Sequence, residues 1–317
     1  MIRFSARALV TGAFTLALSA PMGCAFAASA ASAGPSSDTP NVPSPQTRAD
    51  LTQSMRGEAF ADASYRLYAE QAQREGLPSV ARLFERTANV ELGEHFEEEA
   101  ALSGLVGDDA ANLRDAMKGE VHESTEMYPQ FAQQAKADGE SEAADRFSEI
   151  ARDEGAHARA FGAALQAVES GQGNVPAPPK VEVVQVPADP AKVRAQRTVK
   201  NLDTAMHGEA LAYAKYRLYA EHAKNPAVAS LFRGDAAVER REHFADEAKL
   251  AGLVGTTSAN LAKAIAGERY ESQTMYPTFA KRAKEAGDTE AAKLFAHNAK
   301  DEAGHARAFQ QALDRLP

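Results

Sequence analysis

Residues 147–161 read FSEIARDEGAHARAF, and residues 295–309 read FAHNAKDEAGHARAF. In the first stretch apolar residues recur at three- and four-residue spacing: Phe147 and Ile150 come before Glu154 and His157, and Phe161 and Ala164 after them. That is the pattern of a helix with one core-facing seam. Residues three apart share a helix face, so Glu154 and His157 point the same way, as do Glu302 and His305. A lone E-x-x-H is a weak signal, because glutamate-rich surface helices produce it freely. Here the pair interrupts the apolar seam itself, where an unpaired buried charge would be strongly destabilising. A bound metal ion is the simplest compensation.

Working outward, the whole chain is a tandem repeat. YRLYAE, EHF, GLVG, ANL, MYP and HARAF each occur twice in the same order, and the offset between copies is constant from Val80 onward. Glu58, Glu91, Glu120, Glu123, Glu154 and His157 reappear as Glu209, Glu239, Glu268, Glu271, Glu302 and His305. Each repeat of about 115 residues is long enough for one domain core. Breaks at Gly76-Leu77-Pro78, Gly104–Gly107 and Asp138-Gly139 divide the first repeat into helices near 48–75, 78–104, 108–137 and 140–169. The second repeats them near 199–224, 226–252, 256–285 and 288–315. The expected fold is all-α, two tandem four-helix bundles, with carboxylates and imidazoles from four helices meeting as a dinuclear metal site in each.

Residues 1–27 read as an export signal: Arg3 and Arg7 precede an apolar run from Ala8, and Ala25-Phe26-Ala27 offers a cleavage site. A periplasmic or secreted location follows. Cys24, the only cysteine, would be a lipoprotein acceptor, but Pro21 stands where a leucine is usually wanted. Residues 28–47, rich in Ala, Ser and Pro, are expected to be a flexible tether. Domain 1 spans 48–170 and domain 2 spans 197–317. Between them, residues 171–196 are a linker whose prolines exclude a helix, with Val181–Val186 a candidate short strand. The net charge of −9 and pI near 5.5 leave no basic stripe for nucleic acid.

The second helix is open to two readings. Counted from Phe84 as from Phe147, Glu91 matches Glu154 and Glu94 matches His157, while His95 falls one step later; Glu239, Glu242 and His243 repeat this. Register favours Glu94, with His95 behind it or at the surface. Gly57, Gly119, Gly208 and Gly267 each precede a candidate ligand, which suggests close helix approach. Pro129 and Pro277 suggest a kink near the metals. Tyr65, Tyr68, Tyr128, Tyr216, Tyr219 and Tyr276 read first as core aromatics, with hydrogen bonding to a ligand carboxylate the alternative.

The run from Glu120 through Glu123 to Met127-Tyr128-Pro129, followed by Phe147, Glu154 and His157, resembles the third and fourth helices of the rubrerythrin family of ferritin-like diiron proteins. Gly57-Glu58 and Glu91 resemble its first two. The resemblance implies iron, two ions per domain, with manganese or zinc as alternatives. It implies Glu91 and Glu154 as bridging ligands, Glu58 and Glu120 as terminal ones, and Glu123 (Glu271 in the second repeat) as the carboxylate that moves during turnover. The family usually has histidine where Glu94 stands, and its rubredoxin module with paired Cys-x-x-Cys motifs has no counterpart here. The implied activity is peroxide reduction with an external electron donor; the alternative is iron oxidation and storage without a reductase cycle. Hydrogen peroxide or dioxygen would be the small-molecule partner. The oligomeric state is left open, a homo-oligomer included.

Overall fold

The computed structural model describes residues 42–316. The expected export signal, Cys24 and most of the expected tether lie outside the described residues. Eight long helices account for most of the described chain: α1 (Pro45–Arg74), α2 (Pro78–Val90 continuing through Glu91–His95 to Phe96–Ser103), α3 (Asp109–His122 through Glu123–Met127 to Tyr128–Ala137) and α4 (Ser141–Ser170). The second repeat gives α5 (Gln196–His222), α6 (Pro226–Val238 through Glu239–His243 to Phe244–Ala251), α7 (Thr257–Tyr270 through Glu271–Met275 to Tyr276–Ala286) and α8 (Thr289–Leu313). Local chemistry sets the ends. Asp108 and Thr256 accept from the backbone N–H three residues on, which caps α3 and α7. Gly104 and Gly252 close α2 and α6 in the left-handed conformation. The tether ends sooner than expected. Ser44 caps a helix that starts at Pro45, and Thr47 is buried.

The bundles do not form from consecutive helices. The first two helices of one repeat pack against the last two of the other, α1 and α2 with α7 and α8, α5 and α6 with α3 and α4. The aromatic cores show the exchange directly. Phe84 and Tyr65 of the first repeat meet Phe309 of the second at ring distances of 5.0 and 5.3 Å. Tyr216 and Phe232 meet Phe161 at 5.3 and 5.2 Å. Domains 48–170 and 197–317 are therefore sequence repeats, and each bundle needs half of both.

Chain reach explains this. A ferritin-like bundle needs one long crossover to carry the chain from its second helix back along the bundle to its third. Helix α2, with its thirteen-, five- and eight-residue segments, is roughly 40 Å long at about 1.5 Å per residue. The connection from Ser103 to Asp109 spans at most about 20 Å fully extended. It cannot return α3 alongside α1 and α2, so α3 runs on into the neighbouring bundle. The same holds between Ala251 and Thr257.

Helices α1 and α5 cross where the two bundles meet. Arg56 donates to Thr204 O at 2.9 Å, and Phe60 stacks on His207 with ring centroids 3.9 Å apart. The linker is an extended strap over this junction, and no strand forms among the described residues. Val181–Val186 lies against a helix instead of a second strand, so it makes isolated bonds: Val184 N–H to Arg241 O, Glu182 N–H to Glu242 Oε2, and Val186 O accepting from Arg74. Gly234 is required by this path. A Cβ there would stand 2.4 Å from Pro178.

Candidate metal centres

Two carboxylate–histidine clusters form, and each draws on both repeats. The first, centre A, combines two groups whose ligand atoms all lie within 4.8 Å of one another: Glu58, Glu91, His95 and Glu302, and Glu91, Glu268, Glu302 and His305. Centre B combines Glu154, Glu209, Glu239 and His243 with Glu120, Glu154, His157 and Glu239. Two glutamates are common to both groups in each centre, and their two oxygens diverge. In centre A, Glu91 presents Oε2 to His95 Nδ1 at 3.1 Å and Oε1 to His305 Nδ1 at 3.1 Å. Glu302 does the same at 2.9 and 2.8 Å. In centre B, Glu154 and Glu239 divide their oxygens between His243 and His157 at 2.9–3.2 Å. A carboxylate that offers one oxygen to each of two adjacent positions is placed to bridge a metal pair. Glu91 is paired in this way with Glu302, and Glu154 with Glu239; Glu91 and Glu154, expected to bridge together, lie in different clusters.

The donor set fits divalent metal. Each histidine Nδ1 faces two of these glutamates and has one proton to give, so an oxygen on each of Glu91, Glu154, Glu239 and Glu302 is left without a hydrogen bond, as are buried oxygens of Glu120 and Glu268. Oxygen and imidazole donors of this kind suit iron, manganese and zinc alike. Among the side chains alone, protons take up the charge. Burial pushes Glu91 up to about 7, with Glu268 adding to the shift. Burial raises Glu268 and Glu123 to about 8, and nearby glutamates, Glu302 and Glu154 respectively, push the same way. Burial opposes the charged form of the histidines, yet the surrounding glutamates outweigh it and raise His95, His157, His243 and His305 above their ordinary value. Glu154 is also buried, but His243 and His157 hold its carboxyl well below the usual range.

On the second helix of each repeat it is histidine that faces the centre. His95 and His243 are buried, whereas Glu94 is exposed and Glu242 lies at the edge, bonded to the linker. The physical reason is a π-helical turn at Glu91–His95 and at Glu239–His243, closed by Phe96 N–H to Glu91 O and Phe244 N–H to Glu239 O. This wider i→i+5 turn brings the fourth residue after the bridging glutamate onto its face and turns the third away. The expected register assumed an unbroken α-helix, so Glu94 and Glu242 leave the ligand set.

Similar π turns occupy Glu123–Met127 and Glu271–Met275. Each ends two residues before Pro129 or Pro277, so the proline is absorbed inside a continuing helix. Glu123 and Glu271 stand at their start, half-buried and outside the four-ligand groups. Oε1 of Glu271 lies 3.5 Å from where a Cβ on Gly57 would be, and Oε1 of Glu123 the same distance from one on Gly208. These two glycines make room for a carboxylate from the other repeat. A Cβ at Gly119 or Gly267 would meet nothing within 4 Å, so close approach does not explain those two.

Four tyrosines hydrogen-bond terminal ligands across the repeats: Tyr276 to Glu58, Tyr65 to Glu268 at 2.5 Å, Tyr128 to Glu209 and Tyr216 to Glu120. Tyr219 bonds Asp115 instead, and Tyr68 is a core aromatic. Sequence reasoning missed the buried Glu99 and Glu247, although their signal was present at four-residue steps beyond His95 and His243. Glu99 lies among Ser54, Tyr276 and Asn298, whose hydroxyls and amide all reach it. Glu247 has Tyr128 at 3.0 Å, with Ala205 and Ile150 in place of Ser54 and Asn298.

The Rubrerythrin family profile matches residues 90–165 and 233–313. A rubrerythrin of Porphyromonas gingivalis is 36% identical over 139 residues, which is 40% of this chain and 69% of that protein. A rubrerythrin of Nitratidesulfovibrio vulgaris is 34% identical over 133 residues, 37% and 69% of the two chains. Nigerythrin from the same organism is 31% identical over 139 residues, 39% and 68%.

Helix exchange has a specific mutational signature. Glu154→Ala and Glu239→Ala come from different repeats but the same centre, so either alone and both together should halve the metal content measured by elemental analysis. Combining Glu154→Ala with Glu302→Ala should empty both centres. If the Glu154/Glu239 double variant lost all metal, each repeat would have to hold its own centre. At helix α2, His95→Ala should weaken metal binding at centre A by about 10–100-fold or more, read by chelator competition, while Glu94→Ala leaves it unchanged. The reverse outcome would mean that the π turn is absent in solution.

Proposed function

Because the chain belongs to the rubrerythrin family, we propose that it reduces hydrogen peroxide at its two dinuclear centres, using iron and an external electron donor, after export from the cytoplasm. The observation that carries this reading is the pair of bridging glutamates in each centre, with one oxygen toward each histidine. Two ferrous ions bound there would supply the two electrons that cleave the O–O bond.

The remaining roles belong to the chain's own residues. Glu91 and Glu302 would hold a metal pair in centre A, and Glu154 and Glu239 would do so in centre B. Tyr276 and Tyr65 each donate to one oxygen of Glu58 and Glu268, which fixes the orientation of these terminal carboxylates. Reducing peroxide to two waters consumes two protons with the two electrons. Glu271 and Glu123 are suited to deliver protons, since burial and neighbouring glutamates hold both carboxyls above the ordinary range. The space over Gly57 and Gly208 lets them move toward the centre. Glu123 and Glu271 are thus assigned as catalytic acids, with exchange of protons at their carboxylate oxygens as their function.

The test is steady-state peroxide consumption by iron-reconstituted protein with a supplied chemical reductant. Repeated turnover supports the proposal. A single burst of iron oxidation, with no further peroxide consumed while reductant remains, would replace it with iron oxidation and storage. The pH dependence of metal uptake follows from the same carboxylates. Glu91 at about 7 and Glu268 at about 8 must lose protons to serve a metal, so apparent affinity should rise from pH 6 to pH 8.5 with measurable proton release. Without metal the sign reverses. Carboxyls raised in the folded state contribute stability that is present below about 4.5 and lost as pH rises toward 8. The raised histidines act in the same direction above about 6.5. Chelator-treated protein should therefore melt lower at pH 8 than at pH 5.5, and a higher midpoint at pH 8 would contradict the burial of these groups.

A further inference from the structure

The two centres share their ligands but differ one helical turn before the bridging glutamate of the second helix. Helix α2 has Thr87 there and α6 has Asp235. Asp235 is fully buried, and neither of its carboxylate oxygens has a hydrogen-bond partner within the protein. Its Oδ1 lies 3.7 Å from Nε2 of His157, a few tenths of an ångström beyond hydrogen-bond distance. The other nitrogen of that ring, Nδ1, faces Glu154 and Glu239 at 2.9 and 3.2 Å. His95 and His243 have Asp301 and Asp153 near Nε2 at 3.6 and 3.8 Å, but those two carboxylates are partly exposed. Among the described residues no carboxylate pairs with Nε2 of His305, the counterpart of His157 in centre A, and Thr87 occupies the position of Asp235.

A fully buried carboxylate with no partner is a standing cost to the fold. It is offset when the histidine beside it holds a metal. With a metal at Nδ1, the proton resides on Nε2, and a carboxylate there fixes the tautomer, orients the ring and makes the nitrogen a better donor. The extra negative charge also attracts the dication at close range. We propose that Asp235 is a positioning residue for His157, and that it makes centre B the tighter of the two, so that the chain loads its metal pairs in sequence. This rests on the metal-binding reading above.

Zinc titration of the full-length, chelator-stripped protein, followed by competition with a chromophoric chelator, tests it. The wild type should take up metal in two steps, with the tighter step assigned to centre B by its loss in Glu154→Ala. Asp235→Asn and Asp235→Thr should weaken that step by about 10–100-fold and bring the two steps together. Thr87→Asp should tighten the weaker one. A second readout separates positioning from mere structure. Removing an unpartnered buried carboxylate should raise the thermal midpoint of the metal-free protein even as metal affinity falls. A drop in both would mark Asp235 as a structural residue and overturn the proposal. So would a single uptake step that neither Asp235 variant alters, while leaving the metal centres themselves standing. Wild-type protein that took up no zinc, iron or manganese would overturn both readings.

Discussion

Mutual repulsion among buried glutamates is the constraint to which the other features answer. Centre A gathers the buried Glu58, Glu91, Glu268 and Glu302, and centre B their four counterparts, with the half-buried Glu271 and Glu123 beside them, in cores where charge is poorly screened. Two histidines per centre offset part of this, and bound divalent metal would offset the rest. The tyrosines fit the same logic. Tyr276, Tyr65, Tyr128 and Tyr216 each supply a hydroxyl to a terminal carboxylate, which leaves its other oxygen for a metal. Outside this polar layer the core returns to Phe84, Phe309, Phe161 and Phe232, packed edge and tilt. The polar layer lowers the stability of the bare chain, and metal binding converts that loss into affinity.

Exchange of helices changes what a tandem repeat means. Two separate domains would fail one at a time, whereas here α1, α2, α5 and α6 each complete a centre whose other half lies in the opposite repeat. A lesion in one repeat reaches the centre that the other repeat helps to build. The covalent link keeps the two halves at high effective concentration, so an arrangement that separate chains could reach only as a swapped dimer is intramolecular. The strap from Gly171 to Ala195 contributes to this. It lies against α6 through Arg241 and Glu242, is bonded by Arg74 of α1 through Val186, and thus touches both bundles along one path.

Most of the fold was legible from period and punctuation. Phe147, Ile150, Glu154 and His157 mark the seam of α4, and the Gly and Pro breaks mark the helix ends to within a few residues. Each ligand in the final groups was among the candidates. The partnership between helices was less legible, because a seam shows that a helix has a partner but does not say which one. One clue was available: the five residues between Ser103 and Asp109 are too few for the crossover a ferritin-like bundle requires. His95 was hidden for another reason. Counting from Phe84 assumes one constant pitch, and the π turn changes the pitch at the residue where the counting matters. The tyrosine–carboxylate bonds depend on contacts between repeats and have no period of their own.

The π turns bear on function as well as register. Each begins at a glutamate that matters: Glu91 and Glu239 each face both histidines of their centre, and Glu123 and Glu271 are the carboxylates over the glycines. A π turn widens the helix locally and loosens its hydrogen-bond ladder, which a rigid scaffold would avoid unless the site gained from it. On α2 and α6 the gain is geometric, since only the wider turn presents Glu91 with His95 and Glu239 with His243 toward one point. On α3 and α7 the turn lies between the terminal ligand and a proline that has no N–H to give. Glu120 and Glu268 therefore sit on regular, tyrosine-tethered helix, while Glu123 and Glu271 begin a segment of looser backbone facing a gap. One helix thus carries two carboxylates three residues apart, one on regular helix and one at the start of a π turn, and the change in helical pitch between them sets their surroundings apart.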